Sequence, residues 1–328
     1  MQTSIKPKTF YLIASELIPT LHALPCFDLN DTVLPAVRAG LSATVAKRPS
    51  LPPTLAKVHC EERMLPGPAG APAVRVLVYT PAEQSDRPRP ALLHIHGGGF
   101  VFGAPEVGDP LMRSLVTDLG CVAVSVAYRL APETRFPGAL EDCYAALLWL
   151  HEQAQALDVD RARIAVYGES AGGGHAAALS RLALQRGEVS VCLQLLEAPM
   201  LDDRTGSTSA AHPYCGEFVW KSSSNSFGWR ALLGTEPGSP DVPAQAVPAR
   251  ASDLAGLPPT FIMVGALDLF LEEDLEYARR LIRAGVPTEL HVIPGAFHGF
   301  AAIESAVPLV QTSLRLRRDA LARAFRMS

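Results

Sequence analysis

The pentapeptide Gly168-Glu169-Ser170-Ala171-Gly172 constrains the fold of this chain more than any other stretch of the sequence. It follows a short apolar run at 163–167 and precedes a helical pattern, which predicts a strand, a sharp turn and a helix with Ser170 at the apex. A serine on so tight a turn adopts strained backbone dihedrals, and glycines two positions before and after it avoid collisions. We therefore expect an exposed serine hydroxyl at the end of a buried strand.

The composition is that of a globular protein with a large core. The chain has 328 residues, of which 48% are hydrophobic and 19% charged, and a net charge of −4 without a basic tract argues against nucleic-acid binding. Six scattered cysteines without a Cys-x-x-Cys pair are typical of free thiols in a reducing compartment. No stretch is long and apolar enough for a membrane span, and we see no signal-peptide pattern. We expect a cytoplasmic protein that does not bind membranes.

Apolar runs alternate with helical patterns along most of the chain, which predicts an α/β fold with a mostly parallel central sheet flanked by helices. An antiparallel hairpin is expected first, from Val58–Met64 and Val74–Tyr79, joined by a Pro/Gly-rich turn. The other predicted strands are 91–96, 122–126, 163–167, 191–196, 260–264 and 289–293. The predicted helices are 111–119, one after Pro137, 171–186, 271–284 and 305–325, with Gly285 at a helix C-terminus.

Two segments fall outside this alternation. Residues 1–50 have apolar residues at helical spacing, and we expect short helices broken at Pro19, Pro25 and Pro35, followed by a linker at 49–53. About sixty residues separate Leu196 from the next strand, too many for a structureless loop, so this segment should carry helices and cover part of the protein. Its apolar side chains favour packing, and one or two of its aromatic residues are candidates for substrate contact.

A serine hydroxyl becomes a good nucleophile only with a base and an oxyanion-stabilising group. His298 lies in a short loop after the last predicted strand, and Asp268 lies just beyond the strand at 260–264. The carboxyl ends of parallel strands share one edge of a sheet, so Ser170, Asp268 and His298 can meet there. Their order along the chain is that of hydrolases built on a nucleophile elbow.

Other histidines and acids of the sequence are weaker candidates than these three residues. His94 and His96 share a strand face, but no further ligand cluster accompanies them, so we expect no metal site. His175, five positions after Ser170, is expected to point away from the site or to pack. Several acids near Asp268 are interpreted as surface charges, with Glu272 a candidate neighbour of the site: Asp202, Asp203, Glu272, Glu273 and Asp274.

The segment His96-Gly97-Gly98-Gly99-Phe100 supplies the remaining part of the predicted site. Glycines after a strand let the backbone approach a ligand and point N–H groups at negative charge. A phosphate-binding loop is the competing interpretation, but no Lys-Ser/Thr follows. The loop fits an oxyanion hole completed by the N–H of Ala171.

Taken together, these motifs resemble the hormone-sensitive-lipase-like family of bacterial carboxylesterases within the α/β-hydrolases. The match runs from about Arg75 to the C-terminal helix and rests on His96–Gly99, Tyr128–Glu133, Gly168–Gly173, Asp268 and His298–Phe300. Glu169 stands where the family more often has Asp, and Asp268-Leu269-Phe270 replaces its frequent Asp-Pro-Leu.

The resemblance implies a cofactor-free carboxylesterase (EC 3.1.1.-) for esters of short to medium acyl chains, often a homodimer. It implies Ser170 as nucleophile, Asp268 as acid, His298 as base, and oxyanion donors at Gly98, Gly99 and Ala171. Phe100, Phe218 and Trp220 are the candidates for substrate contact. It further implies a cap segment at 1–50, a first catalytic part at 51–196, a cap insertion at 197–255 and a second catalytic part at 256–328.

Two alternatives remain open from the sequence. An amidase or arylformamidase would use the same three residues, and the sequence does not separate it from an esterase. A ligand-binding receptor on the same fold would resemble a hydrolase without its base, whereas His298 stands in the expected loop here.

Overall fold

The computed structural model describes residues 7–24, 27–47, 51–301 and 306–326. Eight strands in these residues form one sheet, in the order β1-β2-β4-β3-β5-β6-β7-β8. The strands are β1 His59–Leu65, β2 Val74–Thr80, β3 Arg89–Ile95, β4 Val122–Ala127, β5 Val159–Glu169, β6 Leu193–Glu197, β7 Thr260–Gly265 and β8 Thr288–Ile293. Strand β2 pairs antiparallel with β1 and β4, and the other pairs are parallel. The predicted hairpin and mostly parallel sheet are both confirmed.

Helices cover both faces of the sheet. They are α1 Ile18–Ala23, α2 Leu34–Ala46, α3 Pro53–Ala56, α4 Asp109–Leu119, α5 Gly138–Glu152, α6 Ala171–Arg186, α7 Ser222–Leu233, α8 Leu271–Arg283 and α9 Pro308–Ala324. Apolar side chains of α5, α6 and α8 fill the core on one face, and those of α4 and α9 fill it on the other. Strands buried on both faces explain the continuous apolar runs of the sequence.

Most predicted element boundaries lie within a few residues of the observed ones. Gly285 has a φ of +80° directly after the last turn of α8, as expected for a helix C-terminus. The terminal helix begins at Pro308, and residue 305 of its predicted range of 305–325 lies outside the described residues.

The N-terminal segment forms short helices, as predicted, but its described prolines stand in the first turns of helices and not at breaks inside them. Pro19 and Pro35 stand in the first turns of α1 and α2. A proline is tolerated there because first-turn N–H groups have no partner inside the helix anyway. Pro53 likewise begins α3, so residues 51–52 are the described residues of the predicted linker that lie outside a helix, and Pro25 lies outside the described residues.

The insertion between β6 and β7 packs against the N-terminal segment. It contains α7, as the prediction of internal helices required. Trp229 and Leu232 of α7 share an apolar cluster with Leu29 and Leu34. The backbone N–H of Leu29 also donates to the Ser224 hydroxyl at 2.9 Å. These contacts join two segments that are far apart in the sequence.

The cysteines agree with the composition-based expectation where the structure describes them. Four of them are free thiols, Cys121, Cys143, Cys192 and Cys215, and Cys26 lies outside the described residues. None of the described helices has the length and apolar character needed to cross a membrane.

Candidate active site

Ser170 lies at the apex of the predicted turn, directly between β5 and α6. Its backbone angles, φ 56° and ψ −122°, are strained for a residue with a side chain. A Cβ on Gly168 would lie 2.2 Å from the carbonyl oxygen of Gly172, and a Cβ on Gly172 would lie 2.0 Å from that of Ile95. Only glycine fits at both positions, which explains why the serine is flanked in this way.

The side chains of Ser170, His298 and Asp268 form a hydrogen-bonded chain at the carboxyl edge of the sheet. The Ser170 Oγ is 2.9 Å from His298 Nε2, and His298 Nδ1 is 2.9 Å from Asp268 Oδ2. Asp268 also accepts the backbone N–H of Phe270 at 3.0 Å, which fixes its carboxylate. Asp268 and His298 are buried and Ser170 is half-buried. The three residues that the sequence singled out therefore meet with the connectivity of a Ser-His-Asp triad.

The glycine loop after β3 lies directly beside the serine. A Cβ built on Gly97 would be 3.3 Å from the Ser170 Cβ. Gly98 and Gly99 have φ values of +122° and +57°, and a Cβ on Gly99 would overlap the Trp220 ring at 2.2 Å. Both glycines are thus required by the backbone and by close packing. Oxyanion donation by Gly98, Gly99 and Ala171 remains a prediction.

The three aromatic candidates occupy different environments. The Trp220 ring centroid is 6.1 Å from that of His298, so this residue of the insertion lies beside the triad. Phe100 is 2% exposed and packs against His175 and Trp229. Phe218 packs in the core against Phe297 and is 4% exposed. Substrate contact by any of the three remains a prediction.

Phe270 is a neighbour of the triad that the sequence analysis missed. Its ring meets that of His298 edge-on, with centroids 5.1 Å apart and an interplanar angle of 90°. The backbone bond from Phe270 to Asp268 places the ring there. Its position two residues after Asp268 is the feature of the sequence from which this contact could have been predicted.

The interpretation of the neighbouring acids as surface charges was wrong for three of them. Asp203, Glu273 and Asp274 are buried, whereas Glu272 is exposed as expected. Asp203 accepts from Arg250 at 2.7 Å, and Glu273 accepts from the backbone of Leu201 at 2.7 Å. Burial raises the pKa of Glu273 and Asp274 well above the ordinary carboxyl value. Glu273 and Asp274 lie on the inner face of α8, and Asp203 lies outside that helix. Their burial was not predicted because charged residues are normally assigned to the surface.

The histidines of β3 and its end bind to protein groups. His94 Nδ1 is 2.7 Å from the Ser125 hydroxyl, and its Nε2 donates to Glu169 at 3.0 Å. His96 Nδ1 donates to the carbonyl of Gly97 at 2.8 Å, and its ring stacks on Tyr128. Among the described residues, no group of three or more His, Cys, Asp or Glu side chains could hold a metal ion.

A buried ion pair between Glu197 and Arg317 lies next to the turn that carries Ser170, and no sequence pattern predicted it. Glu197, at the end of β6, accepts the backbone N–H of Ser170 at 2.8 Å through its own carbonyl. Its carboxylate accepts the Tyr167 hydroxyl at 2.6 Å and Arg317 of α9 at 2.6 Å. Arg317 is 2% exposed. The C-terminal helix is thereby bonded to the residue that holds the candidate nucleophile.

We expect Arg317→Met to lower the free energy of unfolding by about 3–5 kcal/mol, because it leaves the Glu197 carboxylate buried without its cation. Adding Glu197→Gln should recover part of this loss, since the uncompensated charge is then removed. Urea denaturation of the wild type and both variants measures the effect. If the free energy of unfolding of Arg317→Met is within about 1 kcal/mol of the wild-type value, the Glu197 carboxylate does not depend on this cation.

His175 is packed in the protein interior, as one of the expected alternatives required. Its ring contacts Phe100 and Tyr128, and it is 4% exposed. Burial lowers the pKa of His175 to about 3, and it lowers the pKa of nearby His96 to about 4. Both imidazoles therefore stay neutral in the folded protein at mildly acidic pH.

This burial predicts an acid-sensitive stability. Below pH 6.5 the unfolded chain protonates His175 and the folded protein does not, so the unfolded state binds more protons and stability falls as the pH falls. Between pH 7 and pH 5 we expect the wild type to lose about 2 kcal/mol more than His175→Leu. Urea denaturation at both pH values tests this. Equal losses in the two proteins would show that His175 is not the cause.

Comparisons with known proteins agree with this geometry. A family model described as alpha/beta hydrolase fold matches residues 92–302. The esterase LipI of Mycobacterium tuberculosis is 33% identical over 294 residues, which cover 89% of each chain. An ethyl acetate hydrolase of Pseudomonas putida is 34% identical over 237 residues, covering 70% of this chain and 72% of that one.

Solved structures give the same result over almost the whole length. A bacterial heroin esterase superposes with a TM-score of 0.88 at 39% identity, covering 97% of this chain and 99% of that one. The fold class and the family resemblance predicted from the motifs are therefore confirmed. The chain belongs to the α/β-hydrolase family and, within it, is similar to the hormone-sensitive-lipase-like esterases.

Proposed function

We propose that this protein is a serine carboxylesterase that hydrolyses esters of short to medium acyl chains. The observation that carries the proposal is the pair of 2.9 Å hydrogen bonds that joins Ser170 to His298 and His298 to Asp268. Relatives named as esterases over most of this chain's length support the same reaction.

In the acylation step, the Ser170 hydroxyl attacks the ester carbonyl while His298 Nε2 accepts its proton. Asp268 accepts the Nδ1 proton of His298, which holds the imidazole in the useful tautomer and stabilises its charged form. His298 then protonates the leaving alcohol. Water, activated by the same imidazole, releases the acid and regenerates the serine.

The tetrahedral intermediates carry a negative oxygen that needs N–H donors. We assign this role to the backbone N–H groups of Gly98, Gly99 and Ala171. The left-handed dihedrals of Gly98 and Gly99, and the position of the adjoining Gly97 beside Ser170, support the assignment. Such donors are prearranged by the fold, so they stabilise the intermediate without reorganising during the reaction.

We further propose that the N-terminal segment (residues 1–50) and the insertion (197–255) form a cap over the catalytic parts at 51–196 and 256–328. The shared apolar cluster around Trp229 and Leu34 supports this division in the described residues. Trp220 of the insertion lies beside His298 and would limit the length of an acyl chain at the site. This is the reason for proposing small acyl groups.

A series of p-nitrophenyl esters from acetate to palmitate tests the reaction and the chain-length preference together. We expect the largest kcat/KM at acetate to hexanoate and a steep fall beyond. A preference for palmitate would contradict the proposal of a restricted acyl site. If no ester is hydrolysed, the proposal of an esterase is contradicted. Matched anilide and N-formyl substrates test amide hydrolysis, and faster turnover of these would instead assign an amidase or arylformamidase.

We also propose a cytoplasmic homodimer. The free thiols among the described cysteines support a reducing compartment. Strand β8 lies at one edge of the sheet, and edge strands are common sites of pairing between chains. Light scattering of the purified protein at several concentrations tests the dimer, and a constant monomer mass would contradict it.

A further inference from the structure

Arg38 of α2 reaches from the N-terminal segment to the glycine loop. Its Nε donates to the carbonyl of Val101 at 2.7 Å, and its Nη2 donates to the carbonyl of Ala131 at 2.7 Å. The other donors of the guanidinium bind Glu133 at 2.7 and 2.9 Å. The Arg38 side chain is 29% exposed and that of Glu133 is 64% exposed. The carbonyl bonds are thus the better shielded part of this contact.

The Val101 carbonyl is connected to the predicted oxyanion hole through two peptide groups. It belongs to the same peptide as the N–H of Phe102, which donates to the carbonyl of Gly98 at 3.0 Å. The carbonyl of Gly98 in turn belongs to the same peptide as the N–H of Gly99. Because a trans peptide is planar, its C=O and N–H point in opposite directions. The Gly99 N–H therefore points away from Phe102 and lies at the other end of this series of linked peptide groups.

A second route joins Arg38 to the same carbonyl. The loop that contains Ala131 donates an N–H to the carbonyl of Phe100 at 3.0 Å. That peptide's N–H, on Val101, donates to the carbonyl of Gly98 at 3.1 Å. The orientation of the Gly98–Gly99 peptide is thus set by two hydrogen bonds, and both come from segments that Arg38 contacts.

The arrangement has an electrostatic consequence. A charged donor makes a stronger hydrogen bond than a neutral one, and hydrogen bonds in a chain polarise one another. The cation at Arg38 draws electron density toward the Val101 carbonyl, so the Phe102 N–H and then the Gly99 N–H become better donors. An oxyanion at the end of such a chain gains more from it than a neutral carbonyl does.

We propose that Arg38 is a positioning residue for ester hydrolysis: it orients and polarises the Gly99 N–H through the Val101–Phe102 and Gly98–Gly99 peptides. The inference rests on the proposed function. It makes the N-terminal segment part of oxyanion stabilisation, in addition to its packing in the cap. Arg38 acts on the transition state only through the loop and touches no reacting atom.

A purely structural tether would behave differently. Loss of a tether loosens the cap, and this changes KM and thermal stability. Loss of polarisation at the oxyanion lowers kcat and kcat/KM by the same factor and leaves KM unchanged, because the interaction strengthens only in the transition state. The two roles can therefore be separated by kinetics.

The experiment compares wild type, Arg38→Met, Arg38→Lys and a control, Arg230→Met. Arg230 makes a similar double contact with Glu236 at 2.7 Å on the exposed side of α7, without reaching the loop. The measurements are kcat and KM for p-nitrophenyl butyrate, the inhibition constant of a trifluoromethyl ketone and the melting temperature. The ketone forms a hemiketal whose oxygen occupies the position of the oxyanion.

We expect Arg38→Met to lower kcat about tenfold and to raise the inhibition constant of the ketone by a similar factor, with KM within twofold of the wild type. Arg38→Lys keeps the charge but carries it on a single nitrogen, so its kcat and ketone affinity should lie between those of the wild type and Arg38→Met. Arg230→Met should match the wild type. If both Arg38 variants keep wild-type kcat and ketone affinity, the inference is overturned, whether or not their KM and melting temperature change. If the wild type itself hydrolyses no ester, the proposed function fails, and this inference fails with it.

Discussion

Replacing Ser170 by alanine is expected to lower kcat for p-nitrophenyl butyrate by about 10⁵-fold or more, with little change in KM. The variant lacks the only atom that can form the acyl-enzyme, and what remains is stabilisation by the surrounding donors. Steady-state assays at high enzyme concentration measure the effect. The fold should be preserved, because the alanine occupies the same strained turn with a smaller side chain.

Ser180→Ala is the matched control for this prediction. Ser180 is buried on the same helix, α6, and its hydroxyl donates to the carbonyl of Ala176 at 2.9 Å. We expect it to keep kcat within a few-fold of the wild type. Retention of more than about one hundredth of the activity by Ser170→Ala would show that another group is the nucleophile.

The second large effect is expected for Asp268→Asn, which should lower kcat by about 10³–10⁴-fold near neutral pH. An amide in place of the carboxylate favours the wrong tautomer of His298, so that Nε2 carries a proton and cannot accept one from Ser170. The packing around residue 268 should change little, because Asn and Asp have almost the same volume. Initial rates across pH 6–9 measure the loss.

Glu272→Gln serves as the control for the acid. Glu272 is a nearby acidic residue on the first turn of α8, but it is exposed. We expect this variant to keep wild-type kcat. Equal losses in the two variants, or an Asp268→Asn enzyme with nearly full activity, would place the acid elsewhere.

The sequence was sufficient to predict the sheet, and the proximity of Ser170, His298 and Asp268, because both depend on local patterns. Continuous apolar runs such as 163–167 identify strands buried on two faces. Parallel strands bring their carboxyl ends to one edge, so candidate residues that follow strands, like Asp268 and His298, were expected to meet Ser170. No contact between distant residues had to be known for this step.

The parts that escaped prediction depend on contacts between distant segments. Arg317 and Glu197 are 120 positions apart, and nothing near either residue indicates that they pair. Arg38 is 63 positions from Val101 and contacts its backbone, which has no sequence signature. The burial of Asp274 was missed because a charged residue is normally assigned to the surface. Irregular segments have no periodicity, so their apolar content does not show which side chain faces the site.

The most direct test of the central claim is the reaction of the purified protein with a radiolabelled fluorophosphate, followed by peptide mass mapping. The account predicts one phosphoryl group per chain, located on Ser170, and loss of ester turnover in proportion to labelling. His298→Ala should label far more slowly, since the serine then lacks its base. Complete inactivation with the label on any other residue, or full labelling of Ser170 with ester turnover intact, would contradict the account.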